Sequence, residues 1–175
     1  MRIVIDTNVL VAALRSRKGA SFQIISILPE RLYQPMLSVP LVLEYEDVLK
    51  REIHGLDTRD IDAILNMVAK YSKHVKIYYL WRPFFQDAKD DMLLELALAG
   101  QAEAIITFNV KDFKQVKSKF GIDIIQPRYF WQTIKNKRKN ESVFFRITKL
   151  SKKRRFKSSA ERRCIVKSVV RNCNC

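Results

Sequence analysis

Apolar and polar positions along this chain follow two rhythms, and the rhythms alternate. Ile3-Val4-Ile5 is an unbroken β-branched run, as in a strand buried on both faces. Val9 to Leu14 and Ala20 to Leu28 then predict helices, and Leu32 to Leu37 a second strand. Ser38 can cap a helix whose first turn suits Pro40 and which runs to about Ile53. Thr58 opens a longer one, with Ile61, Ile64, Leu65, Val68 and Tyr71 at helical spacing. Val75 to Tyr79 predicts a third strand, and residues 81–89, with Pro83, a loop. Asp90-Asp91 open a helix through Ala99 that Gly100 ends. Ala104 to Phe108 is the fourth strand, Asp112 to Phe120 a short helix, Ile122 to Ile125 the fifth strand, and Pro127 begins a last helix through Ile134. Strand and helix in alternation predict an α/β three-layer sandwich, doubly wound, with a mostly parallel five-stranded sheet. No internal repeat appears.

The pattern changes at residue 135, and charge explains how. The chain has 175 residues, enough for one domain with a real core, and 47% apolar content. Its net charge is +15. Residues 135–175 hold 15 Lys/Arg against 2 Glu, a net of +13, which leaves 18 bases against 16 acids, a net of +2, in residues 1–134. The expected organisation is therefore a domain over 1–134 and a basic, flexible extension over 135–175. Lys152, Lys153, Arg154, Arg155, Arg162 and Arg163 supply dense cationic charge for nucleic-acid phosphates, and Phe144, Phe145 and Phe156 are placed to stack on bases. The plainer reading is a solvated tail. Cys164, Cys173 and Cys175 all lie in this tail and lack the partners of a standard zinc pattern. The domain has no cysteine, which fits a reducing compartment. No stretch has the length of a membrane span, and the first apolar run contains Asp6, unlike a secretory signal. The expected location is the cytoplasm, without membrane contact.

The candidate chemistry is acidic. Asp6 closes the first strand, and in an open parallel sheet ligands bind at the carboxyl ends of strands. Further acids follow at Glu44, Asp90-Asp91 and Asp112, each near the edge of an element. Carboxylates gathered on one crevice repel one another unless a cation intervenes, and their hard oxygens suit Mg²⁺ or Mn²⁺. Each acid also has a structural reading. Asp6, Asp90, Asp91 and Asp112 all stand where a helix cap would. Glu44 and Glu46 border the apolar arc of Leu41, Val42, Tyr45, Val48 and Leu49 on opposite sides, and periodicity does not choose between them. Thr107 and Asn109 would present a hydroxyl and an amide at the end of the fourth strand.

Four segments, "IVIDTNVLVAAL", "LVLEYEDVL", "DAKDDMLLELALA" and "ITFNVKDF", occur in this order and at suitable intervals. Together the set resembles a PIN domain, similar to VapC-type toxins, over residues 1 to about 134. The resemblance implies a Mg²⁺- or Mn²⁺-dependent ribonuclease acting on RNA, with an antitoxin protein as partner and a homodimer as assembly. It puts catalytic, metal-holding acids at Asp6, Glu44 and Asp91, and a fourth at Asp112 in competition with Asn109. Thr7, Asn8, Asp90, Thr107 and Asn109 would support them through hydrogen bonds. The tail lies outside the resemblance. Two other classes fit parts of the chain. One is a PIN-like domain that binds RNA without cutting. The other is a receiver-type signalling domain, which needs an acid pair after its first strand, whereas the pair here follows the third.

Overall fold

The computed structural model describes residues 1–52 and 58–138. The tail residues from 139 onward, including Lys152 to Arg155, Arg162-Arg163 and the three cysteines, lie outside the described residues. Met1–Ile134 forms one compact unit.

Five strands build one all-parallel sheet: β1 (Arg2–Ile5), β2 (Gln34–Leu37), β3 (Lys73–His74), β4 (Ala104–Ile106) and β5 (Asp123–Ile125), in the order β3-β2-β1-β4-β5. The helices are α1 (Thr7–Arg15), α2 (Ala20–Ser26), α3 (Val39–Glu52), α4 (Thr58–Tyr71), α5 (Ala88–Ala99), α6 (Lys114–Phe120) and α7 (127–138), with a 3₁₀ turn at Leu28–Glu30. The α/β three-layer architecture is the expected one, and the sheet is parallel throughout. Strand order reverses direction at the β1–β4 boundary, so the carboxyl ends of these two strands flank the crevice where such sheets take ligands.

Burial explains the central strands. Ile3, Val4, Ile105 and Ile106 are fully buried, each worth roughly 1.5–3 kcal/mol relative to exposure. Helix α5 packs on β1, β2 and β4 and is apolar almost all round, with Met92 to Ala97 buried. At its C-terminal end Gly100 sits in a tight place: an added Cβ would stand 3.0 Å from the Leu96 carbonyl oxygen and from Met36 Cγ, so the Met36 side chain would have to shift.

Several boundaries differ from the sequence reading. The third strand is Lys73–His74, not Val75 to Tyr79, although the Val75 N–H still donates to the Leu37 carbonyl at 2.8 Å. Its partner β2 ends at Leu37, so residues beyond Val75 have no ladder to join. Ser38 precedes α3 and its carbonyl accepts the Val42 N–H, but its buried hydroxyl has no hydrogen-bond partner among the described residues. Helix α5 starts earlier than expected, because Asp87, not Asp90, caps it and accepts the Lys89 N–H at 2.9 Å. Helix α6 begins at Lys114, which leaves Asp112 in the turn before it.

Candidate active site

The chain turns from β1 into α1 at Asp6, and this turn gives Asp6 two roles. Its carboxylate accepts the Asn8 N–H at 3.3 Å, which is a helix cap. The same carboxylate accepts the Thr107 hydroxyl at 2.5 Å and the Asn8 amide at 2.6 Å, linking the ends of β1 and β4. The Asn8 amide also reaches the Thr107 hydroxyl at 3.3 Å, and that hydroxyl accepts the Asn109 N–H at 2.9 Å. The Asn109 amide donates in turn to Asp112. Asp6, Thr107, Asn8, Asn109 and Asp112 thus form one continuous hydrogen-bonded network. Beneath it, the buried Tyr45 hydroxyl donates to the Ile5 carbonyl.

A crevice of about 660 Å³ opens beside this network. Asp6, Glu44, Asp87 and Asp90 line it, with Arg15 and Lys89 as its two bases. Thr7, Asn8 and Asn109 also reach its wall, and Phe108, half exposed, stands at its edge. Burial pushes the Asp6 carboxyl above its ordinary range, against the lowering effect of Thr107 and Asn8. Asp90 is pushed up to about 6, first by burial and then by the charges of Asp6, Asp87, Asp112 and Asp91. Like charges therefore face one another across the crevice. Glu44 is held by the Lys89 ammonium at 2.7 Å. Glu46 points elsewhere, paired with Lys50 one turn along α3.

The adjacent Asp91 is placed differently. It is buried, and its Oδ1 accepts the Phe84 and Phe85 N–H groups at 3.1 and 2.9 Å. One turn further on, the buried Glu95 accepts the Trp81 N–H at 3.0 Å and both arms of Arg82 at 3.1 Å. The structure thus brings Asp6, Glu44 and Asp90 to one crevice, sets Asp112 on its hydrogen-bonded rim, and puts Asp91 behind it. Sequence reasoning missed Lys89, Arg15 and the Arg82–Glu95 pair. For Glu95 a signal existed: a charge on a helix that is apolar all round must find a partner.

Among the described residues no three His, Cys, Asp or Glu side chains converge closely enough to hold a metal ion as they stand. The oxygen donors on the crevice wall are nevertheless carboxylates, amides and hydroxyls, with no thiol or imidazole beside them, and acids outnumber bases there four to two. By charge and hardness this set fits Mg²⁺ or Mn²⁺.

The model of the PIN domain family matches residues 2–111. Among solved structures, the fold is similar to VapBC2 from Rickettsia felis bound to a DNA fragment from its promoter. That match has 13% identity and a TM-score of 0.50, and covers 72% of this chain and 98% of that one. It is also similar to VapBC-1 from nontypeable Haemophilus influenzae, at 15% identity and a TM-score of 0.50, covering 73% of this chain and 99% of that one. At these identities the likeness is one of fold. No curated protein matches the chain. The strand order β3-β2-β1-β4-β5 also differs from the 2-1-3-4-5 order of receiver domains, which removes that reading. Among the described residues no helix is long and apolar enough to cross a membrane.

Proposed function

The chain belongs to the PIN-domain family, and from that premise we propose that it is a Mg²⁺- or Mn²⁺-dependent endoribonuclease, the toxin of a type II toxin-antitoxin pair. The observation that carries this reading is the crevice at the β1–β4 switch, where Asp6, Glu44, Asp87 and Asp90 meet with too few bases to balance them. Asp6, Glu44 and the adjacent Asp90 and Asp91 would hold the ion, and Asp112 would support a second ion or orient water. Bound there, the metal would neutralise charge on the phosphodiester and activate water. The chain's own groups do the positioning. Thr107 and Asn8 fix the Asp6 carboxylate, and Asn109 ties Asp112 to the same network. No Cys or His lines the crevice, so water is the nucleophile in this reading.

The solved neighbours are VapBC complexes, which supports an antitoxin partner for this chain. A homodimer acting in the cytoplasm completes the proposal. The tail cations would add affinity for RNA phosphates without reading sequence. The test is cleavage of single-stranded RNA by the purified full chain with Mg²⁺ or Mn²⁺. Excess EDTA should stop it, and cleavage that persists in chelator would refute the mechanism. A second reading, an RNA-binding PIN domain that does not cut, draws on the Lys89–Glu44 ion pair, which occupies an expected metal ligand. It predicts RNA binding with no cleavage at any metal concentration.

A further inference from the structure

Away from the crevice, residues 70–82 combine four Lys/Arg, three Tyr and a Trp with no Asp or Glu. The segment leaves the sheet edge after β3 and keeps an extended alternation for a few residues. Val75 and Ile77 pack against the core, while Lys76 and Tyr78 face outward. Tyr79, Leu80 and Trp81 then all face outward, so a run of large apolar side chains lies on the surface, with Tyr78 and Tyr79 80% and 82% exposed. Contiguous exposure of this kind marks an interaction surface.

The run is anchored at both ends. The Val75 N–H bonds to the Leu37 carbonyl at one end, and Glu95 holds the Trp81 N–H and the Arg82 guanidinium at the other. The Trp81 ring meets Phe120 edge-on at 5.7 Å. Between Tyr78, Tyr79, Trp81 and the last turns of α5 lies a cavity of about 330 Å³, which also includes Leu98. The charge around the rings is of one sign. Lys70, Lys73 and Lys76 enter no ion pair among the described residues, and Arg82 already neutralises Glu95.

We propose that this strip is a platform for single-stranded nucleic acid, with bases stacking on Tyr78, Tyr79 and Trp81 and phosphates meeting Lys70, Lys73 and Lys76. Every base offers a π-face, and unpaired lysines offer the matching charge for a polyanion. Lysines are depleted from protein–protein interfaces, whereas three of them border these rings. The platform deepens the ribonuclease reading, on which its biological sense rests, by giving the RNA a second point of attachment. Residues 82–87 lead directly from it to the acids of the crevice.

The test is binding by the full chain in EDTA, where cutting is off. Fluorescence anisotropy compares labelled oligouridylate with an abasic sugar-phosphate chain of equal length. The tail meets phosphates in both, so its electrostatic contribution cancels in the ratio. Wild type should prefer the base-bearing chain about tenfold or more. The Tyr78→Ala/Tyr79→Ala variant should cut the ratio severalfold, with Trp81 left to stack, and Tyr78→Phe/Tyr79→Phe should keep it. In a Trp131→Phe background, Trp81 emission should be quenched by oligouridylate and not by the abasic chain. Lys73→Gln/Lys76→Gln should reduce the salt slope by roughly 1.4, at about 0.7 per phosphate. An unchanged ratio in the double alanine variant overturns the platform. So does a variant that keeps the ratio but shifts the oligomeric mass by light scattering, because the strip would then be a contact between protein chains. A protein that shows the ratio but never cuts fails the ribonuclease reading alone, and one that cuts without the ratio fails the platform alone.

Discussion

Asp90 and Asp91 are neighbours at the start of α5, and they meet opposite surroundings. Asp91 is buried and compensated: two backbone N–H groups of the preceding loop point at one of its oxygens. Glu95, one turn on, repeats the arrangement with the Trp81 N–H and Arg82. These two acids pin the 81–87 loop to the helix. Asp90 is partly buried, and its carboxyl is pushed up to about 6, first by that burial and then by the charges of Asp6, Asp87 and Asp112 that face it. What separates the two neighbours is compensation: two backbone N–H groups are aimed at Asp91, whereas Asp90 faces the charges of Asp6, Asp87 and Asp112.

The largest expected effect is on chemistry. Asp6→Asn should reduce RNA cleavage at least about a hundredfold, since groups that merely support metal ligands already cost 10- to 100-fold when removed. Metal-free thermal stability should hold or rise, because the substitution removes one repelling charge. Added Mn²⁺ should then raise the melting temperature of wild type and much less that of the variant. Normal cleavage by Asp6→Asn would erase the distinction between crevice and anchor.

Next comes the anchor side. Asp91→Ala leaves the Phe84 and Phe85 N–H groups without their acceptor, at about 1–3 kcal/mol for each donor left unmet. Urea unfolding should show that loss, while Asp90→Ala should show none. Asp91→Asn keeps an acceptor oxygen of the same shape, so it should fold like wild type. If Asp91 also serves the metal, as the PIN resemblance implies, this variant should lose cleavage all the same. A fully active Asp91→Asn would make Asp91 an anchor only and leave the third ligand to Asp90.

The sequence made the crevice side legible and the anchor side opaque, for physical reasons. β-branched runs at Ile3-Val4-Ile5 and Ile105-Ile106 have few alternatives to a buried strand, and an acid directly after such a run stands at the sheet's carboxyl edge. Adjacent acids at 90 and 91 share every local feature, and only the path of the 81–87 loop decides which one it covers. That path depends on Arg82 finding Glu95 across 13 residues, which no periodicity reports. The third strand was misplaced for a similar reason. Val75 and Ile77 do alternate inward, but a strand also needs a partner, and β2 has ended.

A smaller effect concerns pH. The folded value of Asp90, about 6, lies above its ordinary 3.8, so folding favours the protonated form. Its contribution to metal-free stability is fully present below about pH 4 and is lost as pH rises through about 6. Asp90 is partly open to solvent, and screening keeps the loss to about 1 kcal/mol or less. Melting temperature in EDTA should fall slightly from pH 4 to 7, and Asp90→Asn should flatten the slope. A slope that is unchanged in the variant would show that the facing charges are too well screened to set the crevice apart.

The smallest expected effect is a control that sharpens the comparison on α3. Glu44 and Glu46 flank the same apolar arc, and the pattern of residues alone gives them equal standing. The structure separates them by partner. Glu44 is 15% exposed in its side chain and reaches across to Lys89 on the crevice wall, whereas Glu46 pairs with Lys50 on its own helix in open solvent. An exposed pair of that kind contributes little and is screened by salt. Glu46→Gln should therefore leave cleavage and melting temperature where they were, while Glu44→Gln lowers cleavage without unfolding the domain. Glu44→Gln should also free Lys89, so the variant's residual affinity for RNA should rise at low salt, where a released cation counts most. Equal effects of the two substitutions on cleavage would mean that α3 contributes no carboxylate to the site, and that the crevice acts through the acids at the ends of β1 and β4 and on α5 alone.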